Sequence, residues 1–271
     1  MRPFLCSLPL AVVLAPACSS WPGLDRPQVD AGAYLALYEL RGRARMNSLD
    51  AGGNIQRNPG MELSMFGVGD RDDDVGGWIS VGDGFSGFQL DYFKLTMKDT
   101  SPGILDTPFG ELEAEEEVVT EVEMDEWRAR YLAQILEHTF GEVRVQLGIG
   151  LQLAHRDLKF FPKRVTTGDG QLVTAKDDGV LYAVARLRAS RGPLSVTLDW
   201  AYDDGVDFGG DFEGRLQDIE LLARYEVLRQ DVSLFAGWRY SELPAKGHEG
   251  DLEYRADLRL SGYQLGLQMR F

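Results

Sequence analysis

Cysteine is nearly absent: the 271 residues contain only Cys6 and Cys18. Cys6 lies in an export-type N-terminus, so removal of that segment leaves one thiol and no disulfide framework. No run of about 18 apolar residues occurs, which excludes a membrane-spanning helix. Histidine is limited to His138, His155 and His248. Basic residues number 28 against 43 acidic ones, for a formal charge of −15. That balance argues against a nucleic-acid partner, which needs a basic surface. Hydrophobic content of 44% looks soluble. It still allows a membrane barrel, where only alternate residues need be apolar.

The first 17 residues carry one Arg, a short apolar run and small residues at Ala15 and Ala17. This pattern is expected to be a secretory signal, removed before folding. Its loss takes away one positive charge, moving the formal charge from −15 to −16. Cys18 follows directly, and Ala15-Pro-Ala-Cys18 resembles a loose lipoprotein box with Ala where Leu is usual. Cys18 is thus a candidate for lipidation, the alternative being a free thiol at the new N-terminus. Residues 18–31 carry Pro, Gly and Ser without period and read as a tether, with the folded unit over 32–271.

Period-two alternation dominates that unit and predicts strands. Over 33–47, Tyr34, Ala36, Tyr38 and Leu40 alternate with Leu35, Leu37, Glu39 and Arg41. Over 61–97 two readings stay open: two long kinked strands, or a loop segment and a short hairpin. From 122 onward strands are expected at 122–137, 143–155, 180–189, 194–203, 218–227, 232–242 and at the C-terminus. Tight turns at 139–142, 190–193 and 229–231 alternate with long polar connections at 99–121, 160–178, 203–216 and 242–256. Short-long alternation is the pattern of an antiparallel up-and-down transmembrane barrel with short periplasmic turns and long acidic outer loops. Ten strands are expected, with eight as the alternative.

Trp200, Tyr202, Trp238, Tyr240 and Tyr225 are expected at the outer interface, and Phe140 and Phe271 at the inner one. The face opposite the apolar one carries Glu39, Arg41, Arg128, Arg130, Arg144, Arg186, Arg188, Asp199, Glu220, Arg224, Glu226, Arg239, Asp257 and Arg259. Charges in a narrow lumen must pair or stay wet. Arg outnumbers Lys 22 to 6, which suits bidentate pairing with carboxylates. A polar, largely occluded lumen is therefore expected, with a narrow pore or small-solute channel as the alternative.

Few residues suggest chemistry. Outer-loop Asp and His invite comparison with the omptin proteases, through Asp72, Asp73, Asp74 and the His248–Glu249 pair, but the spacing does not match theirs. No His-x-Ser pattern of the lipid A deacylase and no phospholipase-like Ser/His/Asn set is visible. General-base catalysis needs a positioned partner. No catalytic residue, cofactor or protein metal site is assigned, and a non-enzymatic role is expected. Nine acidic residues lie between Glu111 and Glu126, and Asp203, Asp204, Asp207 and Asp211 form a second acidic run. Oxygen-only clusters suit Ca²⁺ or Mg²⁺. The spacing around Asp207 is not that of an EF-hand, and a solvated loop is the simpler reading.

The chain ends Gln264-x-Gly266-x-x-Met269-x-Phe271. This resembles the C-terminal insertion signal of bacterial outer-membrane β-barrels, while an ordinary last strand of a soluble sheet stays open. Together with Tyr92-Phe-Lys-Leu after a Gly-rich turn, it makes the chain similar to small, mostly uncharacterised proteobacterial outer-membrane barrels. The resemblance implies a Gram-negative outer-membrane location. It implies contact with outer-membrane lipid and lipopolysaccharide, handling by the barrel-insertion machinery, and acidic loops facing divalent cations.

Overall fold

The computed structural model describes residues 27–68, 72–98, 101–176, 179–203, 216–228 and 231–271. The segment expected to be a signal, Cys18, most of the expected tether and residues 204–215 of the second acidic run lie outside them. Ten antiparallel strands form the wall: β1 (Gln28–Met46), β2 (Asp72–Gly82), β3 (Gly87–Met97), β4 (Glu117–Phe140) and β5 (Val143–Arg164), then β6 (Val180–Arg191), β7 (Leu194–Asp203), β8 (Leu216–Leu228), β9 (Val232–Glu249) and β10 (Leu252–Arg270). Each pairs with the next, and β10 returns to β1 from Asp30↔Arg270 to Met46↔Tyr254. The sheet therefore closes on itself with ten strands, not eight. Closure satisfies every edge, which a sheet in lipid requires.

The polarity of the wall inverts along its height. In the lower half the outward face is apolar: Leu35, Ile149, Leu151, Leu198, Leu221, Leu265 and Leu267 are all exposed. The inward face there is polar. In the upper half the inward face is apolar and the outward face charged. Met46, Leu95, Val122, Met124, Leu158, Leu243 and Leu258 are buried inside. The lower band solvates in lipid. The upper barrel folds around its own core, as a soluble protein does.

The 47–68 segment helps build that core. A 3₁₀ turn at Leu63–Phe66 ends on Gly67 at φ 77°, where a Cβ would sit 1.9 Å from the Ser101 carbonyl. Phe66 meets Phe109 and Phe160 edge-on, at 5.0 and 5.2 Å between ring centroids. Thr120 Oγ donates to the Phe66 carbonyl at 2.6 Å. Asn58 is buried, and its Nδ2 donates to the Met46 and Pro108 carbonyls at 2.8 and 2.9 Å. These contacts fasten an apolar cap within the outer mouth.

Several boundaries and faces differ from expectation. β1 begins at Gln28, inside the segment read as tether. Over 61–97 the loop-plus-hairpin reading holds: β2 and β3 form the hairpin, and β2 starts at Asp72. Most of the connection expected at 242–256, and part of those expected at 99–121 and 160–178, is strand. β9 and β10 pair up to Glu249↔Leu252 and leave a turn at Gly250 and Asp251. In β1, Tyr34, Ala36, Tyr38 and Leu40 point inward, so Glu39 and Arg41 point outward. Asp257 and Arg259 also face outward, because Leu258 and Leu260 fill the core beside them. Charges above the membrane belong on the wet side, which is outside. Tyr225 lies opposite Leu194 and Leu234 at the periplasmic end, since β8 runs downward.

Candidate functional site: the ion-paired lumen

The lower lumen is narrow enough that side chains from opposite walls meet, as expected for a barrel of this size. Glu126, Arg128 and Arg130 alternate on the inward face of β4. Arg156 of β5 lies on the same rung as Glu126 and donates to it at 3.1 Å. From across the lumen, Arg239 of β9 donates to the other Glu126 oxygen at 2.6 Å. Arg239 also engages Asp218 of β8 at 3.0 Å, and Arg128 reaches Asp218 at 3.2 Å. Arg128, Arg156, Arg239 and Glu126 have 2% or less side-chain exposure. Tyr182 receives a bond from Arg156 at 2.6 Å and closes the layer on the β6 side.

A second layer lies nearer the periplasm. Arg186 of β6 grips Asp199 of β7 with two bonds of 2.7 Å. This fork geometry is available to Arg and not to Lys. Arg130 reaches the same carboxylate from β4 and donates to Gln152 at 2.9 Å. Gln264 of β10 donates to Glu220 at 2.7 Å, and the Tyr38 hydroxyl donates to Gln264 at 3.3 Å. Small residues make room for the large inward rings. A Cβ at Gly76 would fall 2.2 Å from the Tyr34 ring, and one at Gly32 would fall 2.5 Å from Trp78.

The periplasmic mouth carries a plug of its own. The turn at 83–86 joins β2 and β3, and its Phe85 is buried. Arg186 donates to the Phe85 carbonyl at 3.2 Å, and the Arg188 guanidinium lies 5.2 Å from the Phe85 ring centroid. Hydrogen bonds from the Phe85 and Ser86 amides to the Asp83 carboxylate pin the turn, at 2.8 and 2.5 Å. Sequence alternation gives no hint that a tight turn folds inward.

Of the lumen charges expected from sequence, Arg128, Arg130, Arg186, Glu220 and Arg239 are buried in these layers. Arg224 and Glu226 stand half-buried toward the periplasmic end of β8. Arg144 does not belong to the lumen proper: its side chain is 59% exposed at the mouth, 3.7 Å from Glu137. Sequence reasoning missed Glu126, Arg156 and Asp218, which complete the upper layer. Each stands on the inward parity of its strand, and that parity was the available clue. In the C-terminal pattern, Gln264 points into the lumen, Gly266 receives the Phe235 ring, and Met269 and Phe271 face outward.

The residues weighed for catalysis do not come together. His248 is exposed near the tip of β9, and Asp74 lies on the rung of Ala36, well down the wall. His138 is on exposed strand beside Phe140, and His155 faces outward opposite Trp127. No group of three or more His, Cys, Asp or Glu suited to a metal ion occurs among the described residues. Of the acidic stretch, Glu121 meets Lys163 at 2.7 Å and Glu123 meets Lys98 at 3.2 Å on the outer wall of β4.

An outward apolar band, aromatic residues near its edges, a closed ten-stranded sheet and an ion-paired interior define an outer-membrane β-barrel of the Gram-negative type. Comparison with solved structures agrees on the fold. The outer membrane protease OmpT from Escherichia coli superposes with a TM-score of 0.50 at 11% identity, over 90% of this chain and 97% of that one. Neisserial surface protein A matches at 0.36 and 12% identity, over 90% and 97% of the two chains. Ail of Yersinia pestis matches at 0.36 and 9% identity, over 91% and 99%. No family model and no curated protein matches the sequence.

Proposed function

We propose that this chain is a non-enzymatic outer-membrane barrel whose lumen does not conduct. It serves as a rigid scaffold that carries a folded cap and a charged upper wall at the cell surface. The observation behind this reading is the bond from Arg239 to Glu126, which crosses the lumen beneath an apolar cap. An ion passing this layer would have to break buried Arg–carboxylate pairs, and unpaired charges there are costly. Export by residues 1–17, lipidation at Cys18 and handling by the insertion machinery through Gln264, Gly266, Met269 and Phe271 belong to the same proposal.

The test is planar-bilayer recording of the purified barrel, after electrophoresis of boiled and unboiled samples has shown that it is folded. The expected trace has no steps above leak. Reproducible unit steps that persist in independent preparations would overturn the closed-lumen reading in favour of a narrow pore.

A further inference from the structure

Not every inward arginine belongs to the paired layers. On the periplasmic side of Arg186, Arg188 of β6 faces Thr197 of β7. On the next row down, Ser190 and Ser195 stand between Arg144 of β5 and Arg224 of β8. These residues line a cleft of about 360 Å³ at the periplasmic mouth, with Phe85 beside them. Arg188 is fixed without being neutralised. Its Nε donates to Thr197 Oγ1 at 3.1 Å and one of its amino groups to the Gly84 carbonyl at 2.5 Å. The Nε of Arg224 is buried with no hydrogen-bond partner among the described residues. Among those residues neither guanidinium has a carboxylate within 4.0 Å.

The carboxylates around the cleft are engaged elsewhere. Asp199 is taken by Arg186 and Arg130, Asp30 by Arg270 at 3.0 Å, and Glu142 by Arg191 at 2.5 Å. Asp83 accepts the amides of its own turn, and Glu220 accepts Gln264 one layer up. Glu226 is the next inward position after Arg224, half-buried at the rim and beyond 4.0 Å of both guanidinia. One carboxylate at that distance against two guanidinia leaves an excess of positive charge. A half-buried charge without a close partner and a buried donor without an acceptor are both costly.

A phosphate group supplies what the cleft lacks. Its donors come from three strands and two rows: the guanidinia of Arg188 and Arg224 and the hydroxyls of Ser190 and Ser195 between them. That spread suits an oxyanion with acceptors on every side better than a flat carboxylate, and Arg forks match phosphate oxygens. Further in, Phe85 and the Arg186–Asp199 pair close the way, so a ligand enters from the periplasm and stops. We propose that this cleft binds a phosphate group, free or borne by a small periplasmic solute, with Arg188 and Arg224 as its principal contacts. The site rests on the barrel fold and not on the closed lumen, so a conducting barrel would leave it standing.

The test is calorimetric titration of the full-length protein, folded in a neutral detergent, with inorganic phosphate, glycerol 3-phosphate or acetate at constant ionic strength. Saturable binding of at least one phosphate compound is expected, and none of acetate. Binding of inorganic phosphate alone assigns the site to the free ion, and binding of the ester assigns it to the group as a solute carries it. Arg224→Ala should weaken binding about tenfold or more, as loss of a charged fork does. The barrel should keep its unboiled mobility in that variant, because Arg224 holds no carboxylate of the protein. Glu226→Gln should strengthen binding severalfold by removing the opposing charge at the rim, and it tests the same site if Arg224→Ala does not fold. No saturable binding of either phosphate compound, equal binding of acetate, or an affinity unmoved in either folded variant would each overturn the proposal.

Discussion

Arg239 donates to Glu126 at 2.6 Å from a strand five places away in a ring of ten. The two residues therefore stand on diametrically opposite walls, and their bond spans the lumen. Each also has a partner on the adjacent strand, Asp218 at 3.0 Å and Arg156 at 3.1 Å. The layer is thus one charge network tying β4 and β5 to β8 and β9.

Removing one member leaves a buried charge unpaired. Arg239→Ala is expected to cost about 3–5 kcal/mol, as for other broken buried pairs. Because both carboxylates lose the same partner, its effect should not add to that of Glu126→Gln; the pair should differ from the sum by about 0.5–3 kcal/mol. Urea titration of folded barrel in detergent reads both quantities. Strict additivity would mean that the cross-lumen bond contributes nothing.

The cap has its own core, so its failure should be local. Phe66 is fully buried against Phe109 and Phe160. Phe66→Ala removes a ring from a packed site and should cost about 3–5 kcal/mol within the cap. Limited proteolysis should then cut within 47–68, while the unboiled mobility of the barrel stays unchanged. Loss of the mobility shift would mean that cap and wall fold as a single unit.

The 101–116 segment offers a pH test. Burial pushes the Glu116 carboxyl up, but the Arg164 guanidinium, bonded at 2.8 Å, and the Glu113 amide outweigh it and hold the carboxyl below its usual range. A lowered folded-state pKa stabilises above the unfolded value of about 4.3 and is lost as pH falls through the folded one. Protease protection of this segment should therefore be full near neutrality and fade below about pH 4. Glu116→Gln should weaken protection at neutral pH and flatten the dependence. An unchanged profile in that variant would remove Glu116 as the cause.

The strand period, the turns at 139–142 and 190–193 and the inward Arg of β4, β6 and β9 were legible because lipid imposes a simple rule: apolar out, polar in. The rule reverses above the membrane, and sequence alone does not mark where. Arg41, Asp257 and Arg259 were placed inside by applying the membrane rule to strand that stands in water. β1 was ambiguous for a second reason, since Tyr34, Ala36 and Tyr38 alternate with Leu35 and Leu37 and both faces look apolar. The carboxylates that complete the lumen, Glu126 and Asp218, lie 92 residues apart in the chain, and only closure of the ring brings them to one guanidinium.

The terminal aromatic separates recognition from stability. Phe271 is 77% exposed, and its amide bonds to the Val29 carbonyl at 2.8 Å through backbone alone. Its ring fills no interior site, so Phe271→Ser should leave the stability of purified barrel within about 0.5 kcal/mol. If the C-terminal pattern directs insertion, the same variant should still lower the amount of barrel assembled in the outer membrane of living cells. Quantifying heat-modifiable protein in membrane fractions, beside the urea midpoint of refolded protein, reads the two effects separately. Normal assembly of the variant would reduce Gln264, Gly266, Met269 and Phe271 to an ordinary last strand, while a fall in both readouts would make Phe271 a structural residue.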